Sequence, residues 1–129
     1  MKNIRIRKSL IIAIALSGAA INAVYSFDIL SAFFDPQYNN AVREIMISAA
    51  ALEIGWISLL VWLIFKPFER RHILLFTIVP ILLGNFFYSA NQFEGHSENL
   101  SAIALNMAFG ILYSGLYVAA YMAGKGEKE

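Results

Sequence analysis

A chain of 129 residues is short enough for one domain, and a net charge of +1 gives no electrostatic footprint for nucleic acid. Hydrophobic residues make up 59% and charged residues 15%, against about 45–50% and about 25% in soluble domains, so more apolar surface is present than a soluble core of this size can hide. The absence of cysteine excludes disulfides, thiolate metal sites and thiol redox chemistry.

The first apolar stretch, about 10–32, follows the basic residues Lys2, Arg5, Arg7 and Lys8 and reaches toward Phe34. Basic residues before an apolar run with small residues around Gly18-Ala19-Ala20 also fit a cleaved signal peptide. The run outlasts the apolar region a signal needs, so an uncleaved span is expected. Asp35-Pro36-Gln37-Tyr38-Asn39-Asn40 is turn-like: Pro36 blocks helix continuation and Asn40 is a plausible N-cap. The second stretch, about 43–65, ends before Lys66-Pro67. The third, about 72–91, carries Pro80, which should kink it and free the Phe76 carbonyl. The fourth, about 100–123, follows Gln92–Asn99, with Ser97 as a plausible cap.

Each stretch is close to the roughly 20 residues that cross a bilayer core. The expectation is all-α: a single transmembrane domain, 1–129, folded as an antiparallel four-transmembrane-helix bundle with short loops. Nine of the ten lysines and arginines then lie on one side, with Arg43 alone opposite. The positive-inside rule places both termini in the cytoplasm, and the expected location is a bacterial cytoplasmic membrane. Small residues four apart, Ala15, Ala19 and Ala23 and again Gly115, Ala119 and Ala123, permit close helix approach within the bundle or in a homo-oligomer.

Polar residues inside these stretches carry the functional signal. Glu53 falls near mid-membrane, where an isolated acidic group costs at least ~2.5 kcal/mol, so it should face the bundle and be hydrogen-bonded. Asn22, Asn85 and Asn106, one on each other helix, fall at a similar depth, roughly 9–18 Å below the far surface at 1.5 Å per residue. Asn106, Gly110, Tyr113, Tyr117 and Tyr121 share a stripe, as do Asn85, Tyr88 and Gln92, and Gly18, Asn22 and Tyr25, while Trp56 neighbours Glu53. The expected site is a seam lined by Glu53, Asn22, Asn85, Asn106, Tyr25, Tyr88, Tyr113 and Trp56. A purely architectural role is the competing reading, since interhelical hydrogen bonds in membranes contribute ~0.6 kcal/mol each.

No nucleotide, zincin or hydrolase motif is present, and His72 and His96 lack partners at metal-ligand spacing. No metal and no cofactor are expected. Small multidrug transporters also place a glutamate in a membrane helix, but in the first span, and Asp35 with Glu53 matches the sterol-isomerase and sigma-2-receptor group only loosely. No residue role is carried over from either. The reading is a non-enzymatic membrane protein, an accessory subunit or a binder of a small apolar or cationic ligand around Glu53. Its expected partners are the lipid bilayer, a homo-oligomer or a larger membrane complex. The alternative is a minimal proton-coupled transporter acting as an oligomer; third is an intramembrane lipid-modifying enzyme, with one carboxylate as a thin catalytic set.

Overall fold

The computed structural model describes the backbone of residues 2–95 and 100–126, and the side chains of 3–84 and 100–126. The chain is all-helical: α1 Lys2–Phe33, α2 Asn40–Phe65, α3 His72–Gly95 and α4 Leu100–Ala123. No strand occurs among the described residues. Three helices, α1, α2 and α4, are long and apolar enough to cross a membrane. In α3 the apolar run with described side chains is His72–Gly84, and the helix continues through Pro80 to Gly95.

The helix ends follow local chemistry. α1 begins at Lys2, earlier than its apolar run, because lysine and arginine are good helix formers. At its other end Asp35 accepts from the Gln37 backbone N–H at 3.0 Å and from the Gln37 amide at 2.9 Å, closing the turn around Pro36. Arg43 donates to the Asp35 carbonyl at 3.1 Å and lies 5.9 Å from the centre of the Phe33 ring, holding that turn against α2. The N-cap of α2 is Asn39, not Asn40: Asn39 has extended backbone and accepts from the Val42 N–H at 3.0 Å. Ser97, the expected cap of α4, lies outside the described residues. Between α2 and α3 a tight turn forms around Pro67, with Arg70 N–H donating to Lys66 O at 3.0 Å.

Packing is uneven. α1 lies along α2 and α3 along α4, so the chain forms two antiparallel hairpins; α1 meets α4, whereas α2 and α3 touch only sparingly. The main core joins the hairpins at the end that carries the start of α1, the 66–71 turn and the end of α4, called here the basic end. Ile11, Ile14, Ala15, Leu60, Leu63, Phe68, Leu74, Tyr117 and Ala120 are buried there. Gly18 is the crossing point: a Cβ at this position would collide with the Tyr117 hydroxyl and approach Leu60 Cδ1 to 3.1 Å. The outward faces stay apolar, with Phe27 at 72%, Leu52 at 76% and Leu105 at 73% exposure. Such surface on every side of a small bundle suits hydrocarbon, not water.

Candidate functional site

Depth can be measured from contacts that tie helices together. Gly18 on α1 is level with Leu60 on α2 and the Tyr117 hydroxyl on α4, and Ser17 is level with Tyr113 through a 2.8 Å hydrogen bond. Counting toward the 34–39 turn at 1.5 Å per residue, Asn22 stands ~6 Å and Ser26 ~12 Å above Gly18, Glu53 ~10 Å above Leu60, and Asn106 ~10 Å above Tyr113 or ~16 Å above Tyr117. Polar groups from three helices therefore fall in one zone, roughly 6–16 Å beyond the crossing. The pin itself is directional: Ser17 gives its single proton to Ile14 O at 2.8 Å, so Tyr113 donates to Ser17.

Within this zone, hydrogen bonding is incomplete. Glu53 is half-buried, and its Oε2 is enclosed without a partner. Asn106 is half-buried with Nδ2 in the same condition, and Ser26, 5% exposed, has an unpartnered Oγ. Asn22 instead satisfies its own helix, donating to Gly18 O at 2.7 Å. Below this zone, the Ser114 and Tyr117 hydroxyls are also enclosed without a partner in hydrogen-bonding geometry. A carboxylate oxygen needs a donor and an amide N–H needs an acceptor; in hydrocarbon each such omission costs roughly 2–7 kcal/mol.

The remaining expected residues separate. Tyr113 is committed to the α1–α4 seam, stacked on Phe109 at 5.6 Å and edge-on to Tyr117 at 5.2 Å. Trp56 turns toward α3, where its Nε1 donates to Thr77 Oγ1 at 3.2 Å, and Thr77 donates on to Ile73 O at 2.8 Å. Tyr25 is 58% exposed and does not line the seam. Asn85 and Tyr88 lie outside the described side chains. Ser26 was missed by sequence reasoning. Its position four residues after Asn22 and eight after Gly18 put it on the same stripe, but serine is a weak signal beside asparagine.

A concave site of about 590 Å³ opens elsewhere, between α2 and α3, lined by Trp56, Leu59, Ile73, Phe76, Val79, Pro80 and Leu83. Every one of these side chains is apolar or aromatic, and only Trp56 belongs to the expected set. No three histidine or acidic residues cluster at metal-binding range among the described residues. No protein-family model matches the chain, and no curated protein or solved structure is similar to it.

Proposed function

We propose that this is a non-enzymatic integral membrane protein of a bacterial cytoplasmic membrane, binding a small apolar ligand that carries a cationic or other hydrogen-bond-donating group beside Glu53. One observation carries the reading: Ser26, Glu53 and Asn106, on three helices and all beyond the Gly18 crossing, each keep an enclosed polar atom without a protein partner. A role as pure interhelical glue would use these atoms on one another. A ligand with an ammonium or amide N–H for Glu53, and an acceptor for Asn106, would complete the set.

The test uses adamantylamine, an apolar cage with one ammonium, binding to purified protein in detergent. Glu53→Gln keeps size and hydrogen-bonding capacity but removes the charge, and should weaken binding about tenfold or more, the loss expected of one charge-assisted hydrogen bond. Helicity should be unchanged. Equal affinity in the two proteins would sink the proposal.

The topology within this proposal has α3 as a fourth span, since its 24 residues reach ~36 Å at 1.5 Å per residue, more than the ~30 Å core. Both termini are then cytoplasmic, on the basic side. Because the chain has no cysteine, single cysteines report cleanly. A membrane-impermeant maleimide on intact cells should label Gln37→Cys and leave Glu69→Cys and Gly126→Cys unlabelled. Labelling at Glu69 and Gly126 but not at Gln37 would mean the inverted orientation, and different outcomes at Glu69 and Gly126 would remove one of the last two spans.

A further inference from the structure

We infer that the groove between α2 and α3 seats one acyl chain of an anionic phospholipid whose headgroup is held at Arg70. The groove lies where the two helices touch only sparingly, with about 590 Å³ between Trp56 and Leu59 on one wall and Ile73, Phe76 and Pro80 on the other. It opens outward, with Phe76 66% and Val79 56% exposed. In a membrane that opening faces lipid tails. From Ile73 to Leu83 the wall runs ten residues, ~15 Å at 1.5 Å per residue, which is half the ~30 Å hydrocarbon core and so the depth of one leaflet.

At the basic end both walls continue into a polar mouth. Trp62 stands three residues after Leu59 on the same face of α2, and Arg70 lies in the turn that leads into α3. The Arg70 guanidinium lies 3.8 Å from the centre of the Trp62 ring, and its NH1 donates to Trp62 O at 2.6 Å. These contacts hold the planar fork still while leaving its other N–H groups for an acceptor. Lys66 in the same turn is paired with Glu69 at 3.0 Å and Arg71 is turned to the end of α4, so of the turn's three cations Arg70 is the one held at Trp62. A fixed guanidinium over an apolar, lipid-facing slot one leaflet deep fits a phosphate headgroup with its tail in the slot. This inference uses residues separate from the Glu53 zone, and neither stands or falls with the other.

The two tryptophans of the chain, Trp56 and Trp62, both belong to the groove or its mouth, so intrinsic fluorescence reads occupancy directly. The protein is reconstituted in phosphatidylcholine containing a minor fraction of lipid brominated at mid-chain, either phosphatidylglycerol or phosphatidylcholine. Brominated phosphatidylglycerol should act as though enriched about fivefold at the tryptophans, the effect of one basic group near anionic lipid. The ratio should fall by at least half in Arg70→Gln and approach one, for the native chain, in molar salt. Equal quenching by both lipids in the native protein would mean an unselective lipid annulus and overturn the inference, as would a preference that either treatment leaves undiminished. If Arg70→Gln does not fold, the salt titration of the native chain decides alone.

Discussion

Gly18→Ala is expected to destabilise the bundle by about 1–3 kcal/mol, the range for forcing a methyl group into a packed site, and Gly18→Val by more. The reason is a three-helix crossing without slack. A Cβ on Gly18 meets the Tyr117 hydroxyl from α4, with Tyr117 Cζ at 3.2 Å and Leu60 Cδ1 of α2 at 3.1 Å. A colliding hydroxyl at the end of a side chain is ordinarily displaced at little cost. Tyr117 has no such freedom, being fully buried with the Tyr113 ring packed edge-on at 5.2 Å. Its hydroxyl has no partner in hydrogen-bonding geometry, so Tyr117→Phe alone should not destabilise the protein and should raise stability by relieving an unpaired buried group. Combined with Gly18→Ala, it removes the colliding atom and should recover most of the loss, a coupling of about 1 kcal/mol or more in a double-mutant cycle. Thermal unfolding in detergent followed by circular dichroism measures all four proteins. Strict additivity would mean that α1 and α4 do not cross at Gly18.

That crossing shows what the sequence holds and what it hides. The helices were legible because each is a long apolar run bounded by proline, asparagine or charge. The inward stripe Gly110, Tyr113, Tyr117 on α4 was legible from its spacing, and these positions are buried or half-buried. The exact cap was not: the turn that Asp35 closes around Pro36 delivers extended backbone at Asn39 instead of Asn40. Tyr25 failed for a tertiary reason, because helical spacing names a face but not whether a neighbouring helix covers it. The α2–α3 groove was illegible on the same ground. Its walls are ordinary apolar residues, and only the sparse contact between two helices makes them concave.

The second large effect concerns Arg71, whose replacement by methionine should lower stability by about 1.5–3 kcal/mol, the range for hydrogen bonds made by a charged group. Its NH1 donates to Phe68 O at 2.7 Å and to Gly124 O at 3.0 Å, and the guanidinium lies 5.6 Å from the centre of the Tyr121 ring. One side chain thus ties the α2–α3 turn to the end of α4. The carbonyls of a helix C-terminus have no intrahelical donor and favour a cation, so the bond to Gly124 also acts with the α4 dipole. Gly124 has little room of its own, since a Cβ there would come within 2.9 Å of Ile11 Cδ1 and 3.1 Å of Arg71 Cδ. Arg71→Met keeps a long apolar stem but leaves both carbonyls without this donor, and the last turn of α4 should open first. Arg71→Lys should rescue little, because an ammonium on a flexible stem lacks the planar fork that Arg71 sets between the two carbonyls and the Tyr121 ring. Endoproteinase Lys-C reads the event without cutting at position 71 in the native or methionine protein. Cleavage at Lys125 should be faster in Arg71→Met than in the native chain, together with a lower unfolding temperature. Unchanged cleavage and unchanged unfolding would show that hairpin packing alone holds the end of α4, with Arg71 serving only as one more positive charge on the basic side.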